Sequence, residues 1–271
     1  MSRQPGSSGA IWIQGAGELA SGVAVRLYRC GYRLIMAETP HPRAVRRLVS
    51  FAEAVYTGRQ AVEDVPAELA EVGRVTFEAR SVMVIVDPQA SQLDRLRPDA
   101  VVDARMDKRP PVEPWSGRWP VVGLGPGWRC GRDCDLIVET QRGPRLGAVI
   151  AANEAAPNSG VPGAIGGETW RRVLRAPAAG QLRPRRRLGD LVQAGEVLGE
   201  VGGSPLVATL GGRLRGLVHE SVELSVGDKV GDIDPRGADV DPSLVSDKAL
   251  AVAGGVLEAL LRLRVMPACP T

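Results

Sequence analysis

The chain has 271 residues, of which 44% are hydrophobic and 24% charged, enough to bury the core of about one or two globular domains. Its 34 basic and 31 acidic residues leave a formal charge of only +3, and the basic run at 183–187 lacks interleaved aromatic residues, so neither feature indicates a nucleic-acid site. No apolar stretch approaches the roughly 18 residues that span a bilayer, and residues 1–9 lack the apolar core of a signal peptide. We therefore expect a cytoplasmic protein with neither a nucleic-acid nor a membrane partner.

The first elements of the chain predict a strand, a glycine turn, a helix and a second strand. The apolar run 10–13 forms the first strand, and the second strand, residues 34–37, ends at Glu38. Between them, residues 21–30 carry apolar side chains at helical spacing and stop at Gly31. This order, with the acid at its end, is typical of a Rossmann-like nucleotide-binding fold.

The turn between strand and helix supplies the predicted cofactor contacts. Gly15 allows the tight turn, Gly17 lets the backbone approach a pyrophosphate, and Ala20 allows the helix and the strand to pack closely. Glu38 lies 21 positions after Gly17 and can accept hydrogen bonds from a ribose, which favours NAD. Three arginines soon after it would instead accommodate the 2′-phosphate of NADP: Arg43, Arg46 and Arg47. A turn of the same shape that binds nothing is the structural alternative.

Four further apolar runs predict the rest of a doubly wound parallel sheet: residues 82–86, 100–102, 121–124 and 136–138. The last three are followed by polar or glycine-rich turns, which in a parallel sheet lie together at the carboxyl edge, where ligands bind. We assign to this crevice the residues Asp103, Arg105, Lys108, Arg109, Gly125, Gly127, Glu139 and Arg142. Their charges suit an anionic ligand, and Asp103 or Glu139 could move a proton. The alternative is a solvated edge decorated with charges.

The back half of the chain repeats itself. After a connector rich in glycine and proline, Ala176, Gly180, Leu182 and Arg183 recur 32 positions later as Ala208, Gly212, Leu214 and Arg215. The repeat resembles the barrel-sandwich hybrid of biotinyl and lipoyl carriers, in which the modified lysine lies in the hairpin that joins the halves. Here that hairpin, residues 202–206, has no lysine. We therefore predict a structural or docking module without covalent lipoyl or biotin.

The end of the chain predicts a helix, because apolar residues at helical spacing follow the capping residues Ser246 and Asp247. The predicted organisation is then a Rossmann-like nucleotide-binding domain, a connector, a β domain resembling a barrel-sandwich hybrid and a C-terminal helical segment. Their boundaries are 1–150, 151–172, 173–237 and 238–271.

The four cysteines are too few and too scattered for a disulfide framework or for an iron–sulfur cluster: Cys30, Cys130, Cys134 and Cys269. A metal ion shared by Cys130 and Cys134 is one alternative. Two thiols without a nearby histidine make an incomplete zinc site, however. We therefore expect reduced thiols and no metal site.

Seven segments in order carry a resemblance to a known family: residues 15–24, 49–56, 102–106, 123–127, 138–140, 231–236 and 246–249. The chain resembles accessory proteins of the selenium-dependent molybdenum hydroxylase system, the YqeB type. The resemblance implies a role in the maturation of xanthine or purine hydroxylases that carry labile selenium. It implies a molybdenum hydroxylase, or the proteins that assemble its cofactor, as partners. It supplies no established reaction, and Cys130 and Cys134 lie outside its pattern.

Two functions remain open from the sequence. The first is an accessory protein that binds a nucleotide-containing molecule, a molybdopterin dinucleotide or NAD(P), for another enzyme. The second is an independent NAD(P)-dependent oxidoreductase. The chain offers only His41 and His219 for histidine-based acid–base chemistry, and its β module lacks a carrier lysine, which favours the first function. A purely structural scaffold and a homo-oligomer also stay open.

Overall fold

The computed structural model describes residues 8–107 and 115–268. Its helices are α1 (Glu18–Arg29), α2 (Ala54–Thr57), α3 (Leu93–Leu96) and α4 (Asp247–Arg262). The strands of its first part are β1 (Ala10–Gln14), β2 (Arg33–Glu38), β3 (Arg59–Val62), β4 (Val65–Leu69), β5 (Val82–Val86), β6 (Ala100–Asp103), β7 (Val121–Leu124), β8 (Leu136–Val138) and β9 (Val149–Ile150). Those of its second part are β10 (Val173–Arg175), β11 (Leu182–Pro184), β12 (Leu191–Val192), β13 (Val197–Val201), β14 (Ser204–Val207), β15 (Gly212–Leu217) and β16 (Lys229–Asp234).

The first part forms a nine-stranded sheet in the order β3-β4-β5-β2-β1-β6-β7-β8-β9. The strands from β4 to β8 pair in parallel, whereas β3 and β9 pair antiparallel with their neighbours at the two edges. Gln14 at the end of β1 pairs with Ala37 of β2 and with Asp103 of β6. The loops after these strands therefore emerge side by side at one edge of the sheet.

The two faces of this sheet are covered differently. Side chains alternate along each strand, so Ile11 and Ile13 face the helices α1 and α4, while Trp12 faces the other side. The two helices pack closely because Gly22 of α1 has no side chain: an added Cβ would lie 2.7 Å from Cβ of Ala249 in α4. The opposite face is covered by the one-turn helix α3 and by three tryptophans from loops: Trp115, Trp119 and Trp128.

The prediction of a Rossmann-like doubly wound sheet is wrong. Such a sheet carries helices on both faces, but α1 and α4, the helices longer than one turn in the described residues, lie on the same face of a mixed sheet. The connections on the other face hold helix breakers instead of helical periodicity. Residues 87–99 contain two prolines, and residues 125–131 contain three glycines and a proline, which leaves room for no more than the single turn of α3.

The second part, which we call the β module (residues 173–234), contains two antiparallel sheets. One has the order β10-β16-β15-β12 and the other β11-β13-β14. The prediction of a β domain that resembles a barrel-sandwich hybrid made of two halves is wrong. In the second copy of the repeat β15 has six residues, whereas its counterpart β11 has three. That strand ends at Pro184, just before an irregularity in which the amides of Arg185 and Arg186 both donate to the carbonyl of Leu198, at 2.8 and 3.1 Å.

The last helix returns to the first sheet. The side chain of Ser246 caps α4 by accepting a hydrogen bond from the backbone amide of Ala249, as the capping prediction requires. The helix packs along α1 and against β8, which places its first turn beside the loops at the carboxyl edge. Within the described ranges, no helix combines the length and the apolar character needed to cross a membrane.

Candidate functional site

The carboxyl ends of the parallel strands open into a cavity of about 590 Å³, which we call the central cavity. Part of its wall consists of the loops after β6, β7 and β8, together with the first turns of α1 and α4. The rest comes from the connector, mainly residues 156–165, and from the β module. Cavities of roughly 300–1,000 Å³ typically hold small ligands and cofactors, so this volume suits a nucleotide-sized molecule.

Among the described residues, six cationic side chains line the central cavity: Arg46, Arg142, Arg172, Arg215, Lys229 and Lys248. The arginines already pair with carboxylates. Arg46 Nη1 lies 2.6 Å from Oε1 of Glu18. Arg142 forms a bidentate pair with Asp247, at 2.9 and 3.0 Å. The positive charge of these arginines is therefore largely compensated inside the protein.

Arg172 and Arg215 belong to a buried ion-pair network in the β module. Arg172 pairs with Asp232, and Arg215 pairs with Asp232 and, at 3.0 Å, with Asp234. Burial disfavours the charged form of Asp234, but hydrogen bonds from Arg236 and the charge of Arg215 outweigh it and lower its pKa. Since a buried charge without its partner is strongly destabilising, the network holds two guanidinium groups firmly at the cavity wall.

The two lysines differ from the arginines. Within residues 8–107 and 115–268, the side-chain ammonium group of neither Lys229 nor Lys248 forms an ion pair or a hydrogen bond. Solvent reaches Lys229 through the open cavity, yet loss of hydration lowers its pKa; Asp232 opposes this shift and Arg172 adds to it. Loss of hydration also lowers the pKa of Lys248, as does the charge of Arg142, against the effect of nearby carboxylates. The cavity thus carries two uncompensated ammonium groups.

Glu18 and Arg46 connect the start of α1 to the start of α4. Glu18 Oε1 accepts hydrogen bonds from Arg46 Nη1 and, at 2.8 Å, from the hydroxyl of Ser246. Burial raises the pKa of Glu18, but Arg46 and Ser246 together outweigh it, so the net shift is downward. Arg46 Nη2 donates to the carbonyls of Pro242 and Leu244 at 3.4 and 3.3 Å. Arg46 Nε is buried without an acceptor among the described residues, which typically costs about 1–3 kcal/mol.

The predicted glycine turn lies beside this cavity. Gly15 has a φ of +96°, Gly17 precedes α1 with open space where a Cβ would stand, and Ala20 is buried in α1. Glu38 accepts hydrogen bonds at 2.7 Å from the amide of Ala16 and at 2.7 Å from the amide of the next residue in the chain. Their role in binding a nucleotide stays a prediction.

The predicted residues after β6 and β7 also lie at the carboxyl edge. Asp103 is buried and accepts hydrogen bonds from Arg105 Nε at 3.1 and 3.0 Å. Burial raises the pKa of Asp103 by more than the hydrogen bonds and charge of Arg105 lower it. Gly125 and Gly127 have φ values of +72° and +98° in the loop after β7, a conformation that favours glycine.

The residues predicted after β8 separate into two roles. Glu139 is buried, and its carboxylate accepts hydrogen bonds at 2.7, 2.7 and 2.8 Å from three backbone amides: Thr140, Gln141 and Ala156. It therefore ties the start of the connector to the sheet. Arg142 lines the central cavity itself, as does Arg46, one of the three arginines considered for a 2′-phosphate. Lys108 and Arg109 lie outside the described residues.

The sequence assigns no binding role to Arg172, Arg215 or Lys229, whereas Lys248, in the first turn of the predicted C-terminal helix, could reach a ligand, with a solvated side chain as the alternative. Arg172, Arg215, Lys229 and Lys248 follow the first sheet in sequence by tens of residues and meet it only through the fold. One signal was available. Lysine occurs three times in an arginine-rich chain, at 108, 229 and 248, and two of these three residues line the cavity.

Cys130 and Cys134 lie away from the central cavity, within the core on the face of the sheet that the tryptophans cover. Burial raises the pKa of the Cys134 thiol, and the neighbouring Cys130 raises it further. Burial likewise raises the pKa of Cys130, against a hydrogen bond from Cys134. Because the thiolate is the reactive form, both side chains are chemically quiet at neutral pH.

Comparison with known proteins identifies one informative relative. No protein-family model matches the chain. The chain is 46% identical over 264 residues to the uncharacterized protein YqeB of Escherichia coli K12, an alignment that covers 96% of this chain. This similarity supports a YqeB-type family. The chain spans 48% of the length of YqeB, about half, and the name of that protein states no activity.

Solved structures add no argument about fold or activity. An aspartoacylase family protein from Mesorhizobium loti is 10% identical, with 74% of this chain and 84% of that chain covered at a TM-score of 0.25. A succinylglutamate desuccinylase/aspartoacylase from Rhodobacter sphaeroides is 14% identical, with 82% and 86% covered at a TM-score of 0.24. Scores this low do not establish a shared fold.

Proposed function

We propose that this chain is an accessory protein for the maturation of selenium-dependent molybdenum hydroxylases, and that it binds a phosphate-bearing cofactor in the central cavity. The ligand class is a nucleotide or a dinucleotide, such as a molybdopterin dinucleotide or NAD(P). The binding half of the proposal is supported by the charge and volume of the cavity. The maturation half is supported by the sequence resemblance to accessory proteins of that system.

The observation that carries the proposal is the charge balance of the cavity lining. Among the described residues, the arginines pair with Glu18, Asp232, Asp234 (which Arg236 shares) and Asp247, whereas the side chains of the two lysines form no ion pair with a carboxylate. About two negative charges on a ligand would therefore complete the site. A phosphate monoester or a diphosphate carries that charge near neutral pH, and its oxygens accept charge-assisted hydrogen bonds from ammonium and guanidinium groups.

The cavity favours holding a cofactor over transforming a substrate. Asp103 and Glu139, the candidates for proton transfer, are both buried and engaged by hydrogen bonds from their own loops. His219 stacks on Tyr56 at 3.8 Å, and neither it nor His41 contributes to the cavity lining. No observation on the described residues favours an independent oxidoreductase, so we rank the accessory role first.

Calorimetry with the purified chain tests the binding half. NAD, NADP, a molybdopterin dinucleotide and inorganic pyrophosphate are titrated against the native chain and against Lys229→Met/Lys248→Met. We expect a phosphate ligand to bind the native chain and to lose about a hundredfold or more in affinity in the double variant, since each ammonium supplies a charge-assisted hydrogen bond. Arg183→Met removes one exposed charge far from the cavity and is the control. Equal binding by the native chain and the double variant would contradict this site.

Deletion of the gene in a host with a selenium-dependent molybdenum hydroxylase tests the maturation half. We expect hydroxylase protein to be present but inactive in the deletion strain, and activity to return with the native chain. The double lysine variant should restore little activity. Full hydroxylase activity in the deletion strain, with normal molybdenum and selenium content, would overturn the maturation role and leave the binding half to be judged by calorimetry.

A further inference from the structure

A second cavity of about 430 Å³, which we call the outer cavity, adjoins the central cavity. The two cavities share a wall formed by six residues: Arg46, Arg142, Ala164, Ile165, Arg215 and Ser246. Three of these six are arginines. One bound ligand could therefore extend across this wall into both cavities, with its central groups in contact with the arginines.

We propose that the ligand is a two-part molecule that spans both cavities, with a phosphate or diphosphate group at the arginines of the shared wall and a nucleoside in the outer cavity. The inference rests on the proposed function, because it takes a phosphate-bearing ligand as given. It adds which part of that ligand lies where.

The first support is the unsatisfied donor in the shared wall. Arg46 lines both cavities, its side chain is only 6% exposed, and its Nε lacks an acceptor among the described residues. Its two terminal nitrogens are occupied by Glu18 and by two backbone carbonyls. A buried N–H group of this kind is normally paired, so a missing acceptor is expected here, and a phosphoryl oxygen is a suitable one.

The second support is the contrast in charge between the cavities. The two unpaired lysines line the central cavity and not the outer one. The outer cavity instead adds three carboxylates to its lining, Asp239, Asp241 and Asp247, with Arg236 as the added cation. Hydrogen bonds from Ser243 lower the pKa of Asp241, so its carboxylate is ionised at neutral pH. Asp247 is already paired with Arg142, so Asp239 and Asp241, which form no ion pair with an arginine among the described residues, disfavour a second phosphate and can accept hydrogen bonds from ribose hydroxyls and from the amino group of a base.

These two observations determine where each part of the ligand lies. Phosphates lie on the lysine side of the shared wall and against it, where positive charge is in excess. The uncharged, donor-rich nucleoside lies on the carboxylate side. A ligand with phosphate alone would use the wall and the lysines, and would gain nothing from the outer cavity.

Calorimetry with inorganic pyrophosphate and ADP tests this arrangement in the full chain. The native chain should bind ADP about tenfold or more tightly than pyrophosphate, because only ADP fills the outer cavity. Val240→Trp places a large side chain in the outer cavity and should lower the affinity for ADP to about that for pyrophosphate, with a much smaller effect on pyrophosphate itself. Val226→Trp, at an exposed position outside both cavities, is the matched control and should change neither affinity.

A second variant tests the shared wall. Arg46→Lys keeps a positive charge for Glu18 but removes Nε, and should weaken ADP and pyrophosphate by a similar factor of about ten, with thermal melting used to show that the variant is folded. The inference is overturned if ADP binds no more tightly than pyrophosphate, if Val240→Trp weakens both probes equally or neither, or if Arg46→Lys leaves both unchanged. Failure of the native chain to bind any phosphate probe would overturn the proposed function as well, which distinguishes the two results.

Discussion

The carboxyl edge of the large sheet and the β module use their charged residues in different ways. At the sheet edge, each predicted carboxylate is engaged by groups of the protein: Glu38 accepts from amides of two turns, Asp103 from Arg105, and Glu139 from two amides of its own loop and one of the connector. In the β module, Asp232 joins two buried arginines that both face the central cavity. The sheet edge thus shapes the cavity, while the β module supplies much of its positive charge.

This difference teaches that a pattern of charges at a sheet edge can be structural even where a ligand site is present. The carboxylates that looked suited to a ligand are largely satisfied by the protein. The charges without an ion-pair partner in the described residues come from Lys229 in the β module and Lys248 in α4. Neither lysine belongs to a local sequence pattern that marks it as a ligand contact. The following predictions test the contrast, from the largest expected effect to the smallest.

Asp232→Ala should have the largest effect, because it leaves Arg172 and Arg215 buried next to each other without their shared carboxylate. We expect a loss of about 3–5 kcal/mol in the free energy of unfolding, the range for breaking a buried ion pair by removing one partner. Urea denaturation monitored by circular dichroism measures it. Asp239→Ala, at an exposed position of the same region, is the control, and a similar small change in both variants would refute the role of the network.

Glu139→Gln should have an intermediate effect at the sheet edge. The amide replaces one acceptor oxygen by an NH₂ group that faces a backbone N–H donor, so at least one buried amide loses its partner. We expect a loss of about 1–3 kcal/mol in the free energy of unfolding, together with faster hydrogen exchange at Ala156 in the connector. Unchanged exchange there would show that Glu139 does not anchor the connector.

Single lysine variants should separate binding from stability. Lys229→Met or Lys248→Met should change the free energy of unfolding by less than about 0.5 kcal/mol, because neither lysine side chain has an ion-pair or hydrogen-bond partner to lose in the described part of the chain. Each should weaken pyrophosphate binding by about tenfold or more, and Lys248→Arg should retain most of the affinity. The lowered pKa of both lysines adds a pH dependence: affinity should fall as pH rises through a range below the ordinary lysine value of 10.5. A large loss of stability in either variant would show that these lysines stabilise the fold, in contrast to the ligand-binding role that we assign to them.

Asp247→Asn should have the smallest effect. The hydrogen bond from Arg142 lowers the pKa of Asp247 from 3.8 to about 2, so this pair stabilises the fold above about pH 4 and loses its effect as pH falls toward 2. Because the Asp247 side chain is mostly exposed, the contribution is discounted to about 0–1 kcal/mol. Urea denaturation between pH 6 and pH 2.5 should show the native chain and the variant converging at the acid end. A constant difference across that range would indicate another cause.

Local features of the structure could be predicted from the sequence because they depend on neighbouring residues. The apolar runs that predict β1, β2 and β5 to β8 are strands, and Ser246 caps α4. Gly15 also forms the predicted tight turn, with the positive φ of +96° that favours glycine. These features need only side-chain periodicity, capping groups and conformational freedom, which are properties of short segments.

The arrangement of those elements required the tertiary structure. The repeat suggested one β unit made of two halves, but the corresponding strands β11 and β15 have three and six residues and the two sheets have three and four strands. The helical pattern suggested layers on both faces, but α4 returns from the far end of the chain to pack beside α1, and tryptophans cover the other face. Long-range packing decides such outcomes, and no segment carries that information by itself.

The sequence by itself determined the strands β1, β2 and β5 to β8, the turn at Gly15 and the capped C-terminal helix, because each is set by interactions within a few residues. Only the tertiary structure decided which charges remain uncompensated. Arg142 pairs with Asp247, 105 positions away, and Arg172 pairs with Asp232, 60 positions away, while Lys229 and Lys248 find no such partner in the described residues. Whether a charge is free for a ligand depends on which opposite charge the fold brings beside it, and that is a property of contacts between distant segments.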